Sequence, residues 1–141
     1  MDTYEGGALE SVPPRHKIPH YHGDSVRILL VLAALTLLVA ATVGAALPLS
    51  TTNAVICAAL LVLAAGVTNP EQAWIHWVNL LLALGGTLLF GVSAVEHYRA
   101  GGSLADTSFA FIEALALLSL IALYFTTKTV RGKTLRREPG T

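Results

Sequence analysis

The chain has 141 residues, of which 54% are hydrophobic and only 13% are charged, and its mean hydropathy is +0.63. Soluble domains carry about 25% charged residues, so this chain has roughly half of the usual charge. The high apolar content excludes intrinsic disorder of the chain as a whole, and the net charge of zero excludes the basic balance that is typical of nucleic-acid-binding proteins. The one cysteine, Cys57, excludes an intramolecular disulfide framework and any multi-cysteine metal site.

The charged residues are distributed unevenly along the chain. None lies between Arg27 and Glu71, and this uncharged stretch is long enough for two membrane spans of about 20 residues each. Proline, glycine and polar turn residues divide the apolar sequence into four helical segments. We therefore predict an all-α fold, an integral membrane four-helix bundle with short loops.

The predicted transmembrane domain covers residues 25–128. We expect residues 1–24 to form a disordered polar tail, because the prolines in this segment disfavour helix. Residues 129–141 are predicted to be a basic C-terminal tail. The four predicted helices span residues 25–47, 53–67, 72–98 and 105–128.

Capping residues and prolines predict where the first two helices begin and end. Asp24 or Ser25 is expected to cap the first helix, and Pro48 is expected to end it. Thr52 or Asn53 is expected to cap the second helix. This second helix is short, because 15 residues rise roughly 22 Å against a hydrocarbon core of about 30 Å.

Lysine and arginine residues are concentrated near the two ends of the sequence. Among the segments that connect the helices, only Arg99 is basic. The positive-inside rule therefore places both termini in the cytoplasm, which requires an even number of spans. The first apolar segment is longer than the usual 7–15 residues of a secretory signal peptide, so we expect it to be retained. We predict a multi-pass protein of the cell membrane, with the lipid bilayer as its surroundings.

Glu113 is the one acidic residue that falls deep within a predicted span. It lies about seven residues into the fourth helix, hence roughly 10 Å below the interface. A carboxylate at this depth costs about 2.5–3.5 kcal/mol on insertion scales, so we expect it to face other helices or water. Helical spacing puts Asp106, Leu117, Leu120 and Tyr124 on the same stripe, which we predict to face the bundle.

In an antiparallel bundle, Ser93 and Thr42 lie at about the same depth as Glu113. We therefore predict an intramembrane polar site formed by Glu113, Ser93 and Thr42. Two interpretations remain open. Glu113 is either part of a proton or cation site, or a residue that fixes helix packing through a hydroxyl or backbone partner.

A second stripe, of mostly small and polar side chains, lies on the third helix within about 100° of arc. Such residues let membrane helices approach closely and form hydrogen bonds with each other. We predict a helix-packing face, and the alternative is a relay or ligand path between the two histidines. The stripe comprises His76, Asn79, Ala83, Gly86, Phe90, Ser93 and His97.

The remaining groups of polar or aromatic residues do not predict a reaction. His16, His20 and His22 are metal-ligand types, but their proline-rich segment is not preorganised, so we expect no metal site there. Trp74 and Trp77 are predicted to be interfacial anchors. The sequence contains no nucleophile elbow, zinc-binding histidine pair or phosphate-binding glycine loop. We therefore expect no cofactor and no enzymatic activity.

Three short motifs resemble those of small uncharacterised bacterial four-span membrane proteins. They are HGDSVR at residues 22–27, GVTNP at residues 66–70 and YFTTKT at residues 124–129. The resemblance covers about residues 20–132. It implies the four-span topology and carries over no activity and no site residue.

These observations favour a non-enzymatic structural or accessory protein that packs against a larger membrane complex or a second copy of itself. The alternative is a small proton- or cation-linked carrier or conductor that uses Glu113. An enzyme ranks third, because no connecting segment is large enough to build a soluble active site. No nucleic-acid partner is expected.

Overall fold

The computed structural model describes residues 22–69 and 71–135, and these residues form four helices. No strand occurs within these ranges, so the predicted all-α fold is confirmed. Most of the predicted N-terminal tail and the end of the C-terminal tail lie outside the described residues. The helices are α1 (Gly23–Thr42), α2 (Thr51–Val67), α3 (Ala73–Arg99) and α4 (Thr107–Leu135).

Three of the four helices, α1, α3 and α4, are long and apolar enough to cross a membrane. Helix α2 has 17 residues, which rise roughly 25 Å and are therefore short for a hydrocarbon core of about 30 Å. The outer faces of the helices expose many large apolar side chains, including Leu81 (66% exposed) and Leu63 (63%). An apolar surface of this extent is typical of a protein that is surrounded by lipid.

Helix α1 ends at Thr42 and not at residue 47 as predicted. Gly44 adopts a φ angle of +70°, which glycine reaches without steric cost. The amides of Gly44 and Ala45 then donate to the carbonyls of Ala41 and Ala40. These two hydrogen bonds form a Schellman motif that satisfies the last carbonyls of the helix. The prediction was wrong because it placed the end at the proline and overlooked this glycine.

The start of α1 also differs from the prediction. Gly23 is the first helical residue, and the preceding His22 makes no side-chain capping hydrogen bond. Neither Asp24 nor Ser25 is therefore the N-cap. Asp24 lies in the first turn, where a carboxylate is favoured by the partial positive charge of the helix N-terminus.

Helix α2 is capped two or three residues earlier than predicted. Its first residue is Thr51, and the hydroxyl of Ser50 accepts a hydrogen bond from the amide of Asn53 at 3.3 Å. Ser50 is therefore the N-cap, and the prediction of Thr52 or Asn53 was wrong. A serine hydroxyl in this position satisfies one of the free amides of the first turn.

Helix α4 continues beyond residue 128 to Leu135, so the first part of the predicted basic tail is helical. No proline interrupts this segment before the described residues end, and its buried Thr129 packs inward while its hydroxyl donates to the carbonyl of Phe125. At the other end, the Asp106 carboxylate accepts a hydrogen bond from the amide of Ser108 at 3.1 Å. The Asp106 carbonyl accepts from Ala110, and Asp106 therefore acts as the N-cap.

The bundle is closed on three sides and open on the fourth. Helix α1 packs along α2 and α4, and α3 packs along α4, whereas α2 and α3 touch only sparsely. Alanine is the commonest buried residue, and small side chains let membrane helices approach closely. The larger side chains of the central core include Leu37, Phe90, Ile112 and Leu115.

The predicted bundle-facing stripe of α4 is wrong. Leu117 and Leu120 are each 50% exposed, and Tyr124 is 61% exposed. Glu113 is half-buried at the edge of the true inner face. Helices α1 and α3 pack closely against the face of α4 that carries mostly small side chains. The preference of one carboxylate for burial against other helices did not decide which face of α4 turned inward. The inner stripe comprises Ile112, Leu115, Ala122, Thr126 and Thr129.

Candidate functional site

The three residues of the predicted intramembrane polar site do not bond to one another. The Ser93 hydroxyl donates to the carbonyl of Leu89 at 2.7 Å, and the Thr42 hydroxyl donates to the carbonyl of Val39 at 2.8 Å. Within residues 22–69 and 71–135, Glu113 has no hydrogen bond or ion pair. The hydroxyls of both predicted partners are thus satisfied by their own helices.

The five polar or small residues proposed as a packing face on α3 are buried to different degrees. His76 is 3% exposed and Asn79 is 1% exposed, whereas Gly86, Ser93 and His97 are half-buried. The apolar members of the stripe lie between the two histidines and offer no group that carries a proton. The described structure therefore contains no continuous hydrogen-bonded path from His76 to His97.

Asn79 forms the main polar link between α2 and α3. Its Nδ2 donates to the Thr68 hydroxyl at 2.9 Å, and that hydroxyl donates in turn to the carbonyl of Ala64 at 2.7 Å. Because the Thr68 proton is committed to Ala64, Thr68 can only accept from Asn79, and this fixes the orientation of the amide. The His76 ring, one turn earlier, forms a hydrogen bond with the backbone of Asn69.

We predict that Thr68→Val weakens the bundle by removing the acceptor of Asn79. Coupling between polar residues in membrane proteins averages about 0.6 kcal/mol and reaches about 1.7 kcal/mol, and we expect a value in the upper part of that range because Asn79 is fully buried. The measurement is the free energy of unfolding in a Thr68→Val and Asn79→Leu double-mutant cycle. Thr127→Val is the control, because the Thr127 hydroxyl is exposed and bonds only to its own helix. An equal loss in both threonine variants would contradict the prediction.

Gly86 of α3 packs closely against Ser119 of α4. A β-carbon added to Gly86 would overlap the Ser119 hydroxyl and would lie 3.1 Å from the Ser119 β-carbon. The adjacent Gly85 has nothing within 4 Å of the same position. Only Gly86 of this pair is therefore required by the packing.

His97 supports the connection between α3 and α4. Its ring stacks on Phe109 with centroids 5.0 Å apart, and its Nε2 lies 3.3 Å from the carbonyl of Ser103. Gly102 lies against the ring, and a β-carbon at this position would overlap it. Gly101, at a φ angle of +73°, ends α3. These contacts give His97 a structural role in the turn.

A largely apolar cavity of about 310 Å³ lies between all four helices. Its exposed lining residues, among them Leu60 and Leu81, all belong to α2 and α3, the two helices that touch only sparsely. Its size falls at the lower end of small-molecule sites. Sequence reasoning missed this cavity, because no pattern within one helix reports how far two helices stand apart. Its walls include Leu30, Leu37, Leu61, Phe90, Leu115 and Ser119.

No cluster of three metal-ligand side chains occurs among residues 22–69 and 71–135. The expected absence of a metal site in the N-terminal segment stays a prediction, because His16 and His20 lie outside the described residues. No protein-family model, curated protein or solved structure matches the chain.

Proposed function

We propose that this chain is a four-span protein of the cell membrane with a non-enzymatic accessory function. In this proposal, the open side between α2 and α3 packs against a transmembrane helix of a larger membrane complex. The supporting observation is the asymmetry of the bundle, in which three helix pairs pack closely and one pair stands apart over an apolar cavity.

The chemistry of the open side favours a helix as its occupant. Leu60 of α2 and Leu81 of α3 line the cavity and are 49% and 66% exposed. Gly85 lies beside them with free space above it. Small residues next to large apolar ones are the composition that membrane helices use to pack together.

The arrangement around Glu113 favours the accessory function over the proton or cation conductor. Proton conduction requires a continuous series of groups that donate and accept hydrogen bonds. Glu113 makes no polar contact with the described residues, and the hydroxyls of Ser93 and Thr42 are bonded to their own helices. We therefore assign Glu113 to the edge of the packing surface of α4.

The charge distribution supports the proposed orientation. The start of α1 and the end of α4 lie at the same end of the bundle, and this end carries Arg27, Lys128, Arg131 and Lys133. Among the described residues, the opposite end carries one basic side chain, Arg99. The more basic end belongs in the cytoplasm.

Leu47 and Leu49 pack against the core beside α2, which extends the apolar length available to this short span.

We predict that cysteines introduced at Thr51 and Leu104, in a Cys57→Ala background, react with an impermeant thiol reagent added to intact cells. Both positions are exposed and lie at the end of the bundle proposed to be external. A cysteine at Thr134, at the opposite end, is the control and should react only after the membrane is opened. Protection of both external positions would contradict the topology.

Site-specific photo-cross-linking tests the accessory function. A photoreactive residue at Leu60 or Leu81 should cross-link to a discrete membrane protein, whereas one at Leu35, an equally apolar α1 position outside the cavity, should not. The same protein should co-purify at a fixed ratio without cross-linking. Gly85→Leu should lower that ratio, and Gly91→Leu should leave it unchanged. Cross-links to lipid alone would contradict the proposal, and cross-links to a second copy would replace the larger complex with self-association.

A further inference from the structure

A second groove, distinct from the cavity, lies on the outer surface between α1 and α2 and has a volume of about 420 Å³. We refer to it as the outer groove. From Arg27 to Leu32 it follows α1 for roughly 8 Å. Ile28, Val31, Leu32 and Val62 contribute exposed apolar side chains, and the guanidinium of Arg27 lies at one end. The groove is formed by Arg27, Ile28, Val31, Leu32, Val62 and Gly66.

The guanidinium of Arg27 is held in place but retains free donors. Its Nε donates to the carbonyl of Ala65 at 2.9 Å, in the last turn of α2. Its Nη1 lies 3.8 Å from the carboxylate of Asp24, and both side chains are exposed, so this pair is weak. Arginine has five N–H donors, and Nη2 donates to no described residue.

We infer that the outer groove binds one anionic phospholipid, with its phosphate on Arg27 and an acyl chain along the exposed side chains of α1 and α2. The cation at one end of the outer groove suits the phosphate of such a lipid, and the apolar remainder of the groove suits its acyl chain. Arginine suits phosphate because its planar fork can form two parallel hydrogen bonds. Because the hydrogen bond to the Ala65 carbonyl already holds the Arg27 side chain, lipid binding costs less side-chain conformational entropy.

The position of the outer groove fits an anionic ligand. It lies at the end of the bundle that also carries Lys128, Arg131 and Lys133 of α4. Basic sites between helices on the cytoplasmic side attract anionic headgroups. The Asp24 carboxylate opposes this attraction, but it is 85% exposed and is therefore well screened by solvent. The inference depends on the membrane location and is independent of the accessory function.

Native mass spectrometry of the purified full chain tests the inference with phosphatidylglycerol and phosphatidylcholine of identical acyl chains. The wild type should retain one phosphatidylglycerol and little phosphatidylcholine. Arg27→Gln should lower phosphatidylglycerol retention about fivefold, which corresponds to one lost basic contact. Arg131→Gln makes the same charge change on an exposed part of α4 outside the groove, and it should retain the lipid.

A second pair of variants tests the acyl-chain part of the site and leaves Arg27 intact. A β-carbon at Gly66 meets nothing within 4 Å, so Gly66→Leu should fold and fill the groove, and we expect it to lose lipid as Arg27→Gln does. Gly91→Leu, which also has free space, should retain the lipid. Equal retention by wild type and both groove variants would overturn the inference. Displacement of the lipid by inorganic phosphate would also overturn it, by assigning the site to free phosphate.

Discussion

Gly86→Ala should destabilise the bundle by about 1–3 kcal/mol, the usual cost of inserting a methyl group into a closely packed contact. The Ser119 hydroxyl can rotate away from the added β-carbon, but the Ser119 β-carbon, at 3.1 Å, can move only together with the backbone of α4. Helices α3 and α4 make the most extensive contact of the bundle, so the strain cannot be relieved by separating them without a large loss of packing. The measurement is the free energy of unfolding in detergent micelles or bicelles.

Gly85→Ala is the matched control for this experiment. The two glycines are adjacent in one helix, but the β-carbon position at Gly85 has nothing within 4 Å. Alanine is preferred over glycine inside a helix by about 0.5–1 kcal/mol, so Gly85→Ala should be neutral or stabilising. Ser119→Ala in the Gly86→Ala background should recover part of the lost stability, because it removes the overlapping hydroxyl. Equal effects of the two alanine variants would contradict this account of the α3–α4 contact.

Phe90→Ala should cost about 3 kcal/mol, at the lower end of the range for buried aromatic residues. Phe90 is 5% exposed, belongs to the central core and borders the apolar cavity. The neighbouring cavity prevents the surrounding side chains from closing the space that the ring leaves. The lower end of the range applies because lipid tails are as apolar as the core, so the loss comes mainly from packing.

Leu88→Ala serves as the control for Phe90→Ala. Leu88 is on the same helix but is 58% exposed, and lipid can replace the contacts that its side chain makes. We expect its free energy of unfolding to change by less than about 0.5 kcal/mol, as for surface substitutions in general. A comparable loss in both variants would show that Phe90 is not part of the packed core.

The sequence predicted the number and kind of helices because their signals are local. An uncharged stretch indicates a span through its own residues, and prolines and capping residues affect the backbone only within a few positions. Three local signals were nevertheless misjudged, since α1 begins at Gly23 before the predicted cap, Gly44 ends α1 before the proline, and Ser50 caps α2 before Thr52. At the end of α1 and at the start of α2, the residue that caps the helix precedes the residue that the prediction selected.

The sites depend on relations between helices, which the sequence expresses less directly. Asn79 and Gly86 were recognisable as unusual residues in an apolar helix, but their partners, Thr68 and Ser119, are set by how helices pair. The stripe around Glu113 was misplaced because the cost of one carboxylate was weighed above the packing of the opposite face of α4. That face buries Leu115 at 1% exposure, and its many close contacts outweigh one polar group at the edge.

The mass of the intact assembly, extracted from its native membrane in lipid nanodiscs, tests the proposed accessory function most directly. The account predicts a species heavier than the 14.8 kDa chain by the mass of at least one other membrane protein, at a fixed ratio. Gly85→Leu, which fills the open side of the bundle, should release the 14.8 kDa chain. A wild-type chain that carries lipid and no protein would contradict the account.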